Sequence, residues 1–201
     1  MRNTGESCVA ANRFIVHESV ADEFARRLAE RMGALVVGRG TEDGVDVGPL
    51  VDLPSQRKVG ELVQDALETG AEVLTGGSTV GERGYFYAPT VLNGVRPGAR
   101  LLKEEVFGPV APIVTFDDEA EAIRLANDTE YGLVSYVYTS DLGRGLRLSE
   151  ALESGMVGLN RGLVSDPAAP FGGTKQSGIG REGGHDGMLD YLESKYIAVQ
   201  W

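Results

Sequence analysis

The chain is poor in cysteine and histidine and has no long apolar run. A single cysteine, Cys8, excludes an intramolecular disulfide and favours the reducing environment of the cytoplasm. The two histidines, His17 and His185, have no second His or Cys at ligand spacing, so we expect no metal site. No apolar run approaches the roughly 20 residues that a membrane helix needs, and the first residues are polar. We therefore expect neither a membrane span nor a signal peptide.

Positive charge is also scarce. Lys and Arg number 19 against 30 Asp and Glu, which gives a formal net charge of −11. Binding to nucleic acid needs clustered Lys and Arg, and the sequence has no such cluster, so nucleic acid is excluded as a partner. The rest of the composition, 42% hydrophobic and 24% charged, is typical of an ordinary globular protein.

Strand-like and helix-like patterns alternate along the 201 residues. Helices are predicted at 19–33, with Ser19 and Asp22 as a capping box, at 54–69, with Pro54 in the first turn, at 117–126, capped by Asp117, and at 142–152 and 185–192. Strands are predicted at 12–17, 71–74, 110–116, 133–139 and 155–159, with an irregular β segment at 85–95. This order predicts an α/β fold with a mainly parallel, open sheet flanked by helices.

Two segments near the C-terminus differ from this pattern. Residues 160–184 are rich in glycine and lack regular periodicity, and a loop of that length in a compact domain is usually functional. The last residues form an apolar, β-prone tail, and such a strand often pairs outside its own domain. We therefore predict one domain at 1–194, which contains Cys8, and an oligomerisation strand at 195–201.

Cys8 is the first candidate for chemistry. A lone cysteine is more often an inert buried residue than a nucleophile. Here, however, a small, polar, turn-forming segment precedes it and an apolar strand follows it. Such a segment offers a thiolate both exposure and hydrogen-bond donors.

Three motifs give this candidate a family context. The segment Asn3-Thr4-Gly5-Glu6-Ser7-Cys8 resembles the cysteine signature of the aldehyde dehydrogenase superfamily. Lys103-Glu104-Glu105-Val106-Phe107-Gly108-Pro109 is similar to that family's Glu-x-Phe-Gly-Pro segment. Pro170-Phe171-Gly172-Gly173-Thr174-Lys175-Gln176-Ser177-Gly178, followed by Gly180-Arg181-Glu182, resembles the loop that flanks its substrate tunnel. The motifs occur in family order and at family spacing.

The resemblance implies a role for each motif. Cys8 would attack the aldehyde carbon, hydride would leave to NAD or NADP, and water would hydrolyse the resulting thioester. Glu105 would bind the nicotinamide ribose, Phe107 would pack beside the nicotinamide, and Phe171 would line the aldehyde site. Without the motif, a glutamate in such a position is more often a solvated charge on a loop.

A finer resemblance concerns the substrate. Succinate-semialdehyde dehydrogenases hold the far carboxylate of the substrate with an arginine before the cysteine motif and a serine in the late loop, which implies these roles for Arg2 and Ser165. A guanidinium binds a carboxylate through two parallel bonds, and a hydroxyl adds one donor. Glutarate semialdehyde has the same terminal carboxylate and stays an alternative. Because Ala10 stands where some relatives carry a second cysteine, a disulfide switch there is excluded.

The 201 residues contain no strand, Gly-rich loop and helix unit for a dinucleotide. We expect the N-terminal dinucleotide-binding domain, with its oxyanion donor and general base, to be absent, so that the chain alone binds no NAD or NADP and is inactive. In the intact enzyme the partners would be a semialdehyde and further copies of the chain, as a dimer or tetramer. A non-catalytic assembly module and a weak esterase that relies on Cys8 are the alternatives.

Overall fold

The computed structural model describes residues 2–201, and the chain divides into two compact units, Met1–Thr129 and Glu130–Trp201. The first unit is built on a four-stranded sheet. Its strands are β1 (Phe14–His17), β2 (Glu72–Thr75), β3 (Thr90–Asn93) and β4 (Val110–Phe116), in the spatial order β1-β4-β3-β2. β4 runs parallel to both β1 and β3, whereas β2 is antiparallel to β3. The predicted α/β fold with a mainly parallel sheet is confirmed.

Three helices flank this sheet, namely α1 (Glu18–Gly33), α2 (Leu53–Glu68) and α3 (Glu119–Asn127). The buried face of α2 supplies four side chains to the larger core: Val59, Leu62, Val63 and Ala66. The buried face of α1 packs Ala25 and Met32 into a second core that also contains buried residues of β3 and β4. The central strand β4 is thus buried, as its continuous apolar sequence predicts.

Two predicted helix caps are wrong by one or two residues. α1 begins at Glu18, and its cap is His17, whose Nδ1 accepts from the backbone N–H of Ser19 at 3.2 Å. Imidazole is not among the usual capping groups, so the Ser19 pattern was the stronger signal. α3 is capped by Asp118 rather than Asp117, because the Asp118 carboxylate reaches the backbone N–H of Glu121 at 2.8 Å.

Arg13 closes the C-terminal end of α3. Its two terminal nitrogens donate to the carbonyl oxygens of Leu125 at 2.9 Å and Ala126 at 2.8 Å. These carbonyls belong to the last turn, where a helix has acceptors without intrahelical partners and a partial negative charge. Arg13 therefore fastens α3 to the start of β1, five residues after Cys8.

The second unit contains four short strands and two helices. They are β5 (Tyr131–Gly132), β6 (Val134–Val137), α4 (Leu142–Ala151), β7 (Met156–Leu159), β8 (Thr174–Lys175) and α5 (Asp186–Leu189). β6 and β7 are parallel and joined through α4, whereas β5 and β8 are antiparallel. The late loop differs in part from its prediction, because β8 lies inside it.

The C-terminal tail forms neither helix nor strand over residues 192–201. Its large side chains are exposed, Tyr196 to 90% and Ile197 to 71%. Pairing of this tail with another copy stays a prediction. Over residues 2–201, no helix has the length and apolar character to cross a membrane, and no group of three or more His, Cys, Asp or Glu could hold a metal ion.

Candidate active site

Cys8 lies on a tight turn at the surface of the first unit. The backbone N–H of Ala10 donates to the carbonyl oxygen of Ser7 at 2.8 Å, which places Cys8 and Val9 in the middle of the turn. Val9 is buried, with 6% of its surface exposed, whereas Cys8 is exposed. The apolar neighbour thus anchors the turn and leaves the thiol open to solvent, as a nucleophile requires.

The residues before this turn are curled into an unusual backbone conformation. Asn3, Thr4 and Gly5 have φ values of 49°, 58° and 81°. Left-handed backbone is unfavourable for a β-branched residue such as Thr4, so the surrounding contacts must hold it. Asn3 supplies two of them, since its Nδ2 donates to the carbonyl oxygen of Glu6 at 2.8 Å and its own carbonyl accepts from the backbone N–H of Glu6 at 2.8 Å.

Gly5 brings the cysteine motif against the second motif. A Cβ atom added at Gly5 would overlap the carbonyl oxygen of Gly108 and lie 2.6 Å from its carbonyl carbon. On Gly108 itself, a Cβ atom would lie 2.6 Å from Cγ2 of the buried Val59 in α2. The two backbones therefore touch directly, and glycine at both positions permits this approach.

Glu105 and Phe107 lie immediately before Gly108. Both side chains are exposed, Phe107 to 39%, whereas the intervening Val106 is buried at 3%. Phe107 has a φ of 52°, which is rare for a residue with a large side chain. The buried Val106 anchors the segment while its two neighbours face solvent.

Of the two adjacent carboxylates, only Glu105 is uncommitted. Glu104 forms an ion pair with Arg100, with Nε and Oε1 2.8 Å apart, and the hydrogen bond from that guanidinium holds the pKa of the Glu104 carboxyl below its usual range. The Glu105 carboxylate makes no hydrogen bond or ion pair with residues 2–201. A free carboxylate beside an exposed aromatic ring suits the ribose hydroxyls and flat ring of a nicotinamide riboside, so the residues present fit that end of NAD or NADP.

In the second unit, Phe171 and Ser165 lie on the late loop. Phe171 is half-buried and forms a β-bridge with Glu182, each accepting the other's backbone N–H at 2.7 Å. The Nη1 atom of Arg181 donates to the carbonyl oxygens of Gly173 and Gly180, both at 2.8 Å, and so ties the two sides of this loop together. Ser165 is exposed in an irregular stretch.

The sequence profile of the aldehyde dehydrogenase family matches residues 1–197. The chain belongs to the aldehyde dehydrogenase family. The family that the three motifs resemble is thereby confirmed.

Relatives within the aldehyde dehydrogenase family include enzymes for two semialdehydes. The chain is 53% identical over 199 residues to the succinate-semialdehyde dehydrogenase of Paenarthrobacter nicotinovorans, covering 99% of this chain and 44% of the relative. It is 50% identical over 198 residues to the glutarate-semialdehyde dehydrogenase of Pseudomonas putida, covering 98% and 41%. A crystal structure of an NADP-dependent enzyme from E. coli superposes with a TM-score of 0.95 at 50% identity, covering 98% and 41%. The chain thus spans about two fifths of the length of the curated relatives it matches.

The structure brings together part of the site predicted for this aldehyde dehydrogenase chain. Cys8 and the exposed Arg2 lie on the segment that contacts Gly108. Gly108 in turn directly follows the segment that carries Glu105 and Phe107. Ser165 and Phe171 belong to the second unit and are described there. Sequence reasoning missed the Gly5–Gly108 contact, for which the 28 glycines of the chain were the only signal. It also missed Asn12 and Lys58, which hydrogen-bond the backbone around Glu105 and have no local signal.

Proposed function

We propose that Cys8 is the nucleophile in the NAD(P)-dependent oxidation of a short ω-carboxy aldehyde, succinate semialdehyde to succinate. The observation that carries this proposal is the direct contact of Gly5 with Gly108. This contact joins the segment that carries the exposed thiol of Cys8 to the segment that carries the carboxylate of Glu105 and the exposed ring of Phe107. The alternative, an inert buried cysteine, would require neither the free carboxylate nor the exposed ring.

Cys8 performs the covalent steps. Its thiolate adds to the aldehyde carbon, and the carbonyl oxygen becomes the oxyanion of a thiohemiacetal, to which the backbone N–H of Cys8 donates. The chemistry supplied by bound NAD or NADP is the acceptance of the hydride that leaves this carbon. Water then attacks the resulting thioester, which releases the carboxylic acid and returns the thiol of Cys8.

The other site residues bind and orient. Glu105 accepts hydrogen bonds from the hydroxyls of the nicotinamide ribose, and Phe107 packs beside the nicotinamide. By the resemblance to succinate-semialdehyde dehydrogenases, Arg2 contributes a guanidinium fork and Ser165 a hydroxyl to the far carboxylate of the substrate, and Phe171 lines the aldehyde site. Glutarate semialdehyde, longer by one methylene, is a second candidate substrate, favoured by the similarity to the Pseudomonas putida enzyme.

A chimera tests this proposal. The 201 residues replace the matching part of the Paenarthrobacter nicotinovorans enzyme, to which they are 53% identical, and NAD(P)H formation is followed with each semialdehyde. We expect turnover that Cys8→Ser abolishes, and a rise in KM for succinate semialdehyde in Arg2→Met and Ser165→Ala with little change for an uncharged aldehyde. Full turnover by the Cys8→Ser chimera would refute the assignment.

The chain by itself is expected to be inactive. Its 201 residues include no dinucleotide-binding unit, and the resemblance assigns the general base to none of them. Succinate semialdehyde with NAD or NADP should give no NAD(P)H above background. Rapid alkylation of Cys8 by iodoacetamide at neutral pH would still support a formed nucleophile, whereas an inert thiol would favour the alternative of an assembly module. The exposed apolar tail at 195–201 favours homo-oligomer formation in either case.

A further inference from the structure

Asn12 spans the gap between the cysteine segment and the segment that carries Glu105. It lies four residues after Cys8, immediately before Arg13 and β1, and is half-buried. Its Nδ2 donates to the carbonyl oxygens of Leu101 at 3.1 Å and Glu104 at 3.2 Å. Its Oδ1 accepts from the backbone N–H of Val106 at 2.9 Å.

These bonds surround one residue. Glu104 and Val106 are the two neighbours of Glu105, so the amide of Asn12 holds the backbone on both sides of it. The carbonyl oxygen of Glu105 accepts from Nζ of Lys58 in α2 at 2.6 Å. Both peptide units that flank Glu105 are thereby fixed, although the side chain of Glu105 has no partner of its own within residues 2–201.

A role in stability alone does not account for this placement. The exposed side chain of Glu105 has no polar partner within residues 2–201, so its backbone fixes where it stands. Asn12 binds that backbone with both a donor and an acceptor, which its planar amide holds in fixed geometry. Its main chain leads directly back to the turn of Cys8.

We infer that Asn12 is a positioning residue that sets Glu105 and Phe107 relative to Cys8. The use of this arrangement for a nicotinamide ribose rests on the proposed function, whereas the arrangement itself does not. Hydride transfer depends on sub-ångström placement of the reacting groups, so a residue that aligns the nucleophile with the cofactor contact acts on the reaction without touching it.

The single thiol makes the alignment measurable in the 201-residue chain itself. A nitroxide label attached to Cys8 broadens the backbone amide signals of nearby residues in an isotope-labelled sample. We expect a defined broadening pattern at residues 104–108 in the wild type. Asn12→Leu, which is similar in size and lacks all three bonds, should lose that pattern, and its Val106 amide should exchange with solvent about tenfold faster, as for one lost hydrogen bond.

Asn12→Asp separates the two halves of the amide. It keeps the acceptor for Val106 and replaces the donor by a second acceptor that faces two carbonyl oxygens, so protection of the Val106 amide should persist while broadening at Glu104 changes. This variant also carries the test if Asn12→Leu does not fold. Asn93→Leu, a half-buried asparagine at the end of β3, is the matched control and should leave both readouts unchanged.

A wild-type broadening pattern in a folded Asn12→Leu chain of lowered stability would overturn the inference, because Asn12 would then be structural only. The inference would equally be overturned if Val106 exchanged in the wild type as fast as an unbonded amide. Neither readout involves turnover, so an inactive chimera would count against the proposed function and leave the positioning role standing.

Discussion

Replacement of Gly5 by alanine should destabilise the first unit and displace the cysteine motif. Gly5 has a φ of +81°, and an added Cβ would overlap the backbone of Gly108. Gly44 offers a matched control, since its φ is +79° and a Cβ there would meet nothing within 4 Å. The pair Gly5→Ala and Gly44→Ala therefore shares the cost of left-handed backbone and differs in the contact.

The two costs can be estimated separately. A left-handed alanine costs about 1–2 kcal/mol. Loss of flexibility in the unfolded chain returns about 0.4–1 kcal/mol of this, so Gly44→Ala should destabilise by about 1 kcal/mol. Overpacking adds about 1–3 kcal/mol in well-packed sites. Because Gly108 is held from behind by Val59, it has little room to retreat, and Gly5→Ala should cost about 2–4 kcal/mol in total.

Urea unfolding followed by far-UV circular dichroism measures this difference. The slopes of the free energy of unfolding against urea must agree between the two variants, so that a shift in midpoint reports native-state stability. Equal midpoints for Gly5→Ala and Gly44→Ala would refute the argument that the two glycine motifs touch without spare space. Alkylation of Cys8 should also change in rate in Gly5→Ala and stay as in the wild type in Gly44→Ala.

Three further variants test other contacts. Arg13→Met should lower the free energy of unfolding by about 2–3 kcal/mol, because two carbonyls at the end of α3 lose a charged donor; a urea midpoint within error of the wild type would contradict this. Gly108→Ala should be rescued in part by Val59→Ala in the same chain, and purely additive midpoints would speak against their contact. Hydrogen bonds from Ser55 lower the pKa of the Asp52 carboxyl, so its contribution to stability is present above the unfolded pKa of about 3.9 and is lost as pH falls through the lower folded value. Asp52→Asn should therefore lose less stability than the wild type on acidification below about pH 4, as measured by thermal melts across pH.

Much of the fold follows from local pattern. β4 occupies residues 110–116, as predicted, because a continuous apolar run between two parallel neighbours is a strong signal. The four inward residues of α2 follow from helical periodicity in the same way. Caps were less predictable, since Asp117 and Asp118 differ by one position and only the geometry of the turn selects Asp118.

The candidate site was predictable only where it has a motif. Cys8, Glu105 and Phe107 stand in runs that resemble a family, and the Glu-x-Phe-Gly-Pro pattern selects Glu105 over Glu104. The ion pair of Glu104 with Arg100 was not predicted from the sequence. Asn12 carries no local signal, because its partners lie 89 to 94 positions away along the chain. Contacts of that range depend on the whole sheet and are beyond propensity and spacing.

The reliance of Cys8 on distant residues has a consequence for the order of events on the ribosome. The thiol emerges 100 positions before Gly108, against which its segment folds. At about 5–20 residues per second, this leaves roughly 5–20 s in which Cys8, the proposed nucleophile, exists without the segment against which it folds. During that interval it is an ordinary cysteine of a flexible chain, open to oxidation and unselective alkylation. The folded surroundings of Cys8 thus exist only after translation has passed Gly108.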